Sequence, residues 1–170
     1  MYQQPLYWYI RKVVLIHEDA EDILQETLIK AYRHLWTLRS DEALRSWLFK
    51  IATNEIRRHF KRHRESVPLE KIPEPEICNP AGVSSERATE VISSAFLHMS
   101  PLQREVFCLR CWEDLGYEEI SRITGSSINT LMVSYHEARK KIEKAVAVQL
   151  GLEPDDSPAD FHSEERSEEA

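Results

Sequence analysis

The chain is predicted to be an all-α protein made of two small helical domains joined by a Pro-rich linker. Apolar residues recur at three- and four-residue steps over most of the chain, and no stretch shows the strict alternation of a β-strand. Four of the eight prolines fall at residues 66–85. That composition cannot continue a helix and predicts a semi-rigid tether. We therefore expect domains at 1–65 and 86–150, a linker at 66–85 and a tail at 151–170.

The first domain is expected to begin with two helices. Residues Leu6 to Ile16 are strongly apolar, and Asp19 is a favourable N-cap for a second helix that ends near Leu35. Helical spacing assigns the inner face of the second helix to Ala20, Ile23, Leu24, Thr27, Leu28, Ala31, Tyr32 and Leu35. Three polar side chains, Asp22, Gln25 and Glu26, are left on its outer face.

A third helix, from Leu44 to Arg64, combines a buried half with a basic end. One apolar stripe is formed by Leu44, Trp47, Leu48, Ile51, Ala52, Ile56 and Phe60. Cations crowd the other end, at Arg57, Arg58, Lys61, Arg62 and Arg64. The positive charges in such a run repel one another unless an anionic group lies against them, and nucleic-acid phosphate is the usual partner. The alternative is a solvated helix end that the helix dipole favours.

Net charge is unevenly distributed along the chain. The whole chain carries −7, yet residues 1–66 hold 12 Lys and Arg against 9 Asp and Glu, for a local +3. Residues 151–170 hold 1 against 8, a local −7 that equals the total. A composition this acidic and this poor in apolar residues is typical of a disordered segment. The global charge therefore does not exclude nucleic-acid binding by the first domain.

No pattern of catalytic or membrane-spanning residues is evident. We find no nucleophile–base pair and no Gly-rich phosphate loop, and we expect neither enzyme activity, nor a cofactor, nor a metal. Cys108 and Cys111 form a C-x-x-C inside an apolar helical run, which favours buried structural cysteines over a zinc or redox site. Without a signal peptide or an apolar run of about 20 residues, a cytoplasmic protein is predicted.

The second domain is predicted to contain a helix-turn-helix. Its first helix spans Glu86 to Met99, and Ser100-Pro101-Leu102-Gln103 is a strong start for the next, which ends near Trp112. A short helix at 117–124, a Gly125 turn and a helix from Ser127 to about Leu150 follow. This spacing is that of a DNA-binding motif whose second helix enters the major groove, although an ordinary αα-hairpin has a similar pattern.

Helical spacing divides the last helix into two faces. The buried face is expected to hold Ile128, Leu131, Tyr135, Ala138 and Ile142. The outward face is expected to hold Asn129, Thr130, Met132, Val133, Ser134, His136 and Glu137, with Lys140, Lys141 and Lys144 beyond.

Three stretches together resemble bacterial RNA polymerase sigma factors of the extracytoplasmic-function group. They are a D-A-E-D-x-x-Q-E-T run within residues 17–35, a W-L-x-x-I-A-x-N run within 46–63, and the helix-turn-helix within 97–145. The resemblance implies a protein that binds core RNA polymerase, through its β′ clamp and β flap, and directs it to promoter DNA. It also implies an anti-sigma protein as a further partner.

The resemblance assigns roles to the first domain by position. The helix that holds Asp22, Gln25 and Glu26 matches the family element that docks on the β′ clamp. The third helix, with the loop 38–45 before it, matches the element that binds and melts the −10 promoter sequence. The implied −10 contacts are a base contact at Asn54 and phosphate contacts at Arg57, Arg58, Lys61 and Arg62. Trp47 and Phe49 are further candidates for stacking on bases, although the apolar stripe favours the core for Trp47.

The last helix matches the element that reads the −35 sequence. The implied donors are Ser127, Asn129, Thr130, Ser134, His136, Arg139 and Lys140. Met132 and Val133 depart from the family pattern, and Glu137 stands where a basic residue is common. These departures weaken the predicted −35 contact, so a DNA-binding regulator that does not activate polymerase, or a sigma-like protein that blocks promoters, stays as the alternative function. A pure protein-interaction module and a redox enzyme using Cys108 and Cys111 are more distant alternatives.

Overall fold

Seven α-helices make up the part of the chain that can be described. This computed structural model describes residues 2–38, 40, 43–63 and 86–151. The helices are α1 (Gln3–Val14), α2 (His17–His34), α3 (Leu44–His63), α4 (Glu86–Leu97), α5 (Pro101–Cys111), α6 (Tyr117–Thr124) and α7 (Ile128–Leu150). The predicted all-α fold with two helical domains is confirmed. The predicted linker at 66–85, Arg64, and the tail beyond Gly151 lie outside the described residues.

Side-chain caps begin α5 and α7 where the sequence predicts them. The Ser100 hydroxyl accepts a hydrogen bond from the Gln103 backbone N–H at 3.2 Å, and the Gln103 side chain accepts one from the Ser100 N–H at 3.0 Å. Ser127 caps α7 by accepting from the Thr130 N–H at 3.2 Å. Gly125 ends α6 with φ of +69°, a backbone conformation that glycine adopts without strain. The predicted capping box is confirmed.

The start of α2 differs from the prediction. Leu15 adopts a left-handed conformation, with φ of 68°, and closes α1 through a bond from its N–H to the Arg11 carbonyl. Because this turn is so tight, α2 already begins at His17, and Asp19 lies inside its first turn instead of capping it. The Asp19 carboxylate pairs with His59 of α3 at 3.3 Å. The expected N-cap at Asp19 is therefore wrong, and the residue joins α2 to α3.

The core of the first domain lies between α1, α2 and α3. Leu6, Ile10 and Val13 of α1 are fully buried, as are Ala52 and Ile56 of α3. Their spacing of three and four residues puts each set on one helix face. The Tyr9 hydroxyl bonds the Thr53 hydroxyl at 2.8 Å inside this core, so that a buried polar pair fixes α1 relative to α3.

Two residues of the predicted inner face of α2 point outward instead. Tyr32 is 84% exposed and Leu35 is 51% exposed. The helix ends at His34 and continues as a 3₁₀ turn over Leu35–Thr37, so Leu35 lies outside the α-helical spacing that assigned it to the inner face. Ala20, Ile23, Leu24, Thr27 and Ala31 are buried as expected.

The two domains pack against each other. In the described residues, α1 lies against α5 and α3 lies against α6. The Lys12 ammonium sits 3.1 Å from the centre of the Trp112 ring, a cation–π contact between the domains. Buried side chains of both domains form one continuous apolar cluster. No helix among the described residues is long and apolar enough to cross a membrane.

Candidate nucleic-acid interface

One exposed face of α3 carries a line of polar and cationic side chains. Lys50, Asn54, Arg58 and Lys61 recur at steps of three and four residues, and all four are exposed. The opposite face is held in the core by residues such as Ala52 and Ile56. We call Lys50, Asn54, Arg58 and Lys61 the α3 outer face. It offers three cations and one amide to a ligand lying along the helix.

Lys50 is a member of this face that the sequence reasoning missed. It lies in the apolar half of the helix, apart from the basic run at the far end on which the predicted phosphate contacts were based. The signal was available, because Lys50 precedes Asn54 by four residues and must share its face. The cationic surface therefore extends further toward the start of α3 than was predicted.

Arg57 lies at the edge of this face and is already engaged. Its guanidinium pairs with Glu105 of α5, with 3.2 Å between Nη2 and Oε2, and also donates to the Thr124 carbonyl of α6. Arg62 is exposed and lies further around the helix. All four predicted phosphate ligands are exposed, but the Arg57 side chain, at 42%, is more covered than that of Arg58, at 54%.

A buried acid beneath the face holds α2 and α3 together. Glu55 is 8% exposed, and its Oε2 lies 2.6 Å from the Lys30 ammonium of α2 and 3.6 Å from the Arg58 guanidinium. Beside this cluster lies a groove of about 260 Å³, lined by Lys30, His34, Thr37, Trp47, Ile51, Asn54 and Glu55. Asn54 therefore opens onto a concave surface beside the half-buried Trp47 ring.

Phe49 does not belong to any exposed surface. It is 1% exposed, and its ring meets the Tyr9 ring edge-on with 5.2 Å between centroids. The interpretation that Phe49 stacks on bases is therefore wrong. Although Phe49 is next to the exposed Lys50 in the sequence, its side chain points into the space between α1 and α3.

The outer surface of α2 combines polar and apolar side chains. Asp22, Gln25 and Glu26 are exposed, as predicted. Helical spacing continues their line into exposed Ile29 and Tyr32, and Trp36 follows in the 3₁₀ turn with 82% of its surface exposed. We call Asp22, Gln25, Glu26, Ile29, Tyr32 and Trp36 the α2 outer face. Exposed aromatic side chains beside acids are typical of a protein-binding surface.

The first turns of α7 present several donors to solvent. Ser127, Asn129 and Thr130 are exposed there, and Arg139 and Lys140 are exposed further along. His136 is half-buried. Ser134 was predicted to face outward, but it is only 8% exposed because the helix turns it toward the domain core. Ile128 was predicted to be buried and is 40% exposed.

Glu137, which departs from the family pattern, has a structural partner. Its carboxylate accepts a hydrogen bond from the Gln103 side chain of α5. The neighbouring Lys141 donates to the Gln103 side chain and to the His98 carbonyl, each at 2.7 Å. These contacts tie α7 to the start of α5, so that the acid at 137 contributes to packing.

The two cysteines of the C-x-x-C differ in environment. Cys108 is 1% exposed, and burial raises the pKa of its thiol well above the ordinary value. Cys111 is exposed and lies 3.4 Å from the Tyr135 hydroxyl. The prediction of a buried structural cysteine is confirmed for Cys108 and wrong for Cys111. No group of metal-ligating residues occurs in the described part of the chain.

Glu105 is the most perturbed acid near the interface. Burial raises the pKa of its carboxyl to about 7 from an ordinary 4.5, although Arg57 and Arg104 act in the opposite direction. Tyr9 of α1 and Cys108 of α5 also face this group. The folded chain therefore holds this proton more tightly than the unfolded chain does.

We expect the free energy of unfolding to fall as pH rises from about 4.5 to about 7, by at most about 3 kcal/mol from this group. Below that window Glu105 is protonated in both states, and its contribution is fully present. Glu105→Gln should flatten the decline, and urea unfolding at several pH values measures it. Glu118→Gln, which changes an exposed acid of α6, is the control, and equal slopes for the two variants would contradict the expectation.

Family models match both domains of the chain. The model described as Sigma-70 region 2 matches residues 1–66, and the model described as Sigma-70, region 4 matches residues 89–142. The first match contains the α2 and α3 outer faces, and the second contains most of the helix-turn-helix domain. The two matches are separated by residues 67–88, which contain most of the predicted linker.

Curated proteins align over most of the chain. RNA polymerase sigma-H factor of Pseudomonas aeruginosa is 26% identical over 162 residues, covering 85% of this chain and 82% of that protein. RNA polymerase sigma factor YlaC of Bacillus subtilis is 29% identical over 149 residues, covering 84% and 86%. ECF RNA polymerase sigma-E factor of Escherichia coli strain K12 is 28% identical over 141 residues, covering 75% and 74%.

A solved structure shares the fold. It is the co-crystal structure of the sigma factor RpoE with the anti-sigma factor NepR from Bartonella quintana, which aligns with a TM-score of 0.68. The alignment covers 86% of this chain and 92% of that one at 24% identity. At this identity the likeness concerns the arrangement of helices.

Proposed function

Because the chain belongs to the sigma-70 family, whose members bind core RNA polymerase and direct it to promoters, we propose which surface performs each step. The α2 outer face docks on the polymerase β′ clamp, the α3 outer face binds and melts the −10 element, and α7 reads the −35 element. The observation that carries this assignment is the separation of two chemically different surfaces on adjacent helices. One is acidic and aromatic, and the other is cationic.

The α2 outer face fits a protein partner better than it fits DNA. Its acids would repel phosphate, and its exposed Tyr32 and Trp36 offer the large amphipathic contact area found at the centre of protein interfaces. Asp22, Gln25 and Glu26 give polar contacts at one end of this strip. Tyr32 extends the docking surface by almost three helical turns from Asp22, and Trp36 in the following 3₁₀ turn extends it further.

The α3 outer face fits the −10 element. Lys50, Arg58 and Lys61, together with Arg62 and Arg57, supply phosphate contacts, and Asn54 offers an amide for a base edge. The groove beside Asn54 and Trp47 has room for an unstacked base. Extruding a base costs a few kcal/mol, which contacts of this kind offset.

The first turns of α7 fit the −35 element. Ser127, Asn129, Thr130 and His136 offer hydrogen bonds to a major groove, with Arg139 and Lys140 near the backbone. Ser134 is excluded from this set by its burial. The apolar Val133 is 50% exposed on the same surface and suits contact with a thymine methyl group.

The experiment that tests this assignment is co-purification with bacterial core RNA polymerase. We expect an Asp22→Ala, Gln25→Ala, Glu26→Ala triple variant to lose binding at least tenfold, because it removes the polar end of the docking strip. Run-off transcription from pooled genomic fragments of the bacterium that encodes the chain should fall in parallel. Wild-type protein is the reference.

A matched control alters three polar residues elsewhere. Glu118→Ala, Arg122→Ala and Lys144→Ala change exposed side chains of the second domain and should leave polymerase binding intact. Equal loss in both triple variants would mean that the effect is not specific to α2. A folded wild type that fails to bind core polymerase would contradict the function itself.

A DNA-binding protein that does not activate polymerase is the second candidate. Met132 and Glu137 favour it, because each stands where the family commonly has a basic residue that would contact phosphate. The exposed acids and aromatic residues of α2 oppose it, because such a regulator has no need of that strip. Run-off transcripts from the wild type would decide against it.

We further propose that the chain acts by binding, with no chemistry of its own, in the cytoplasm where polymerase and promoter meet. A protein of the anti-sigma kind, such as the partner in the Bartonella quintana complex, is a candidate regulator of the same surfaces. Cys111 is exposed, but nothing else around it suggests a redox or metal function.

A further inference from the structure

A cavity of about 320 Å³ lies between α1 and α5, apart from the three surfaces described above. This volume is at the lower end of the range of about 300–1,000 Å³ that is usual for sites of small ligands. We call it the α1–α5 cavity. The side chains that line it include Trp8, Tyr9, Lys12, Cys108, Trp112 and Glu113.

Aromatic rings form much of the wall of this cavity. Trp112 is half-buried, and its ring packs on those of Phe96 and Phe107, with 5.6 and 5.4 Å between centroids. On the α1 side lie the half-buried Trp8 and the buried Tyr9, whose hydroxyl is already bonded inside the first domain. Ring faces that neighbouring side chains hold in place favour a ligand with an apolar ring of its own.

Lys12 brings a positive charge to this aromatic cavity. The residue is 8% exposed, and its ammonium lies over the Trp112 ring. None of the ion pairs in the described part of the chain includes Lys12. Burial lowers the pKa of this ammonium, although Cys108 and Glu113 act in the opposite direction. A buried charge is unfavourable unless an anion or a set of hydrogen bonds compensates it.

Neither of these two neighbours supplies the anion that Lys12 needs. The Glu113 carboxylate pairs with Arg45, whose Nη2 lies 2.6 Å from its Oε2. Cys108 is 1% exposed, and burial raises the pKa of its thiol well above the ordinary value, so that the thiol is uncharged at neutral pH. The Lys12 ammonium therefore keeps its capacity to donate hydrogen bonds to an anion from outside the chain.

We propose that the α1–α5 cavity binds a small aromatic carboxylate, which accepts hydrogen bonds from the Lys12 ammonium and places its ring against Trp8 and Trp112. Hydrogen bonds between ionised groups are stronger than those between neutral groups, and the ring gains from burial against the two indoles. A single cation suits a monoanion better than a dianionic phosphate. The inference goes beyond the proposed function and does not rest on it.

Titration of the full chain with phenylacetate tests the proposal, with two-dimensional NMR of the four tryptophan indole N–H signals as the readout. We expect the signals of Trp8 and Trp112 to shift and the other two to stay, because Trp36 and Trp47 lie outside the cavity. Phenylacetamide has the same ring but no charge, and it should bind at least about tenfold more weakly. Single Trp→Phe variants assign the signals.

Lys12→Met removes the charge and keeps most of the length of the side chain. We expect this variant to bind phenylacetate at least about tenfold more weakly than the wild type and to bind phenylacetamide equally well. Lys144→Met, which removes an exposed lysine of α7, is the matched control and should bind both probes as the wild type does.

A second variant keeps the test decisive if K12M unfolds. Trp8→Ala removes a half-buried wall of the cavity, so it should weaken binding of both probes and retain the preference for the acid over the amide. Urea unfolding checks that each variant is folded under the conditions of the titration. Unchanged affinity for both probes in a folded W8A protein would overturn the proposal.

The remaining outcomes are equally clear. Equal affinity of the wild type for phenylacetate and phenylacetamide would overturn the proposal, as would wild-type affinity for phenylacetate in a folded K12M protein. Shifts confined to Trp36 or Trp47 would place the molecule elsewhere and would also overturn it. So would the absence of any shift with phenylacetate, benzoate and 3-phenylpropionate, each at about 10 mM.

Discussion

Replacing Lys50, Arg58 and Lys61 together by Gln should weaken promoter binding by about 100-fold at 0.15 M salt. Each cation that neutralises a phosphate releases a counterion, so three lost contacts reduce the dependence of log affinity on log salt by about 2.7. That reduction corresponds to about two decades of affinity at this salt concentration. The loss should be similar for all promoter sequences, because phosphate contacts carry no sequence information.

The measurement is a salt titration of promoter binding by the polymerase complex. Lys144→Gln, which removes an exposed cation from the far part of α7, is the control and should leave the slope unchanged. Including Lys50 makes the test sharper, because it shares the exposed face of Asn54 but was not among the predicted phosphate ligands. A triple variant with the wild-type slope would show that phosphate does not lie along this face.

Phe49→Ala should destabilise the first domain by about 3–5 kcal/mol, as the loss of a fully buried aromatic side chain does. The ring is 1% exposed and packs edge-on against Tyr9 between α1 and α3. Removing it leaves a cavity next to the buried Tyr9–Thr53 hydrogen bond. Urea unfolding measures the change, and Phe49→Leu, which keeps most of the volume, should cost much less.

The same variant decides between a core and a base-stacking role. If Phe49 stacked on a promoter base, Phe49→Ala would impair promoter opening with little change in stability. A core role predicts the opposite result: the free energy of unfolding falls, and activity is lost only in proportion to the fraction of protein that unfolds. An unchanged urea midpoint would therefore contradict the packing seen here.

Much of the fold could be predicted from local signals. The capping box at Ser100, the Gly125 turn and the Ser127 cap depend on a few adjacent residues, and each lies where the sequence predicts it. The outward position of Asp22, Gln25 and Glu26 follows from helical spacing against an apolar face. Such features involve contacts within one or two turns, so periodicity is sufficient to find them.

Errors occurred where a side chain depends on a distant part of the chain. Tyr32 and Leu35 continue the apolar spacing of α2, but no other described element covers them. Ser134 looks like a surface residue, yet the packing of α7 on the other helices of its domain buries it. Phe49 lies beside the predicted apolar stripe of α3 and not on it, and only the position of α1 explains why it is buried.

The sequence by itself determined the helices, their caps, the cationic end of α3 and the family to which the motifs point, because these depend on near neighbours. Only the tertiary structure decided which cations pair with an acid of the other domain. Arg57 and Arg58 are adjacent in sequence, yet Arg57 meets Glu105, 48 positions away, and Arg58 remains more exposed. An ion pair between residues so far apart in the sequence depends on how whole helices pack, and the local spacing of residues does not predict it.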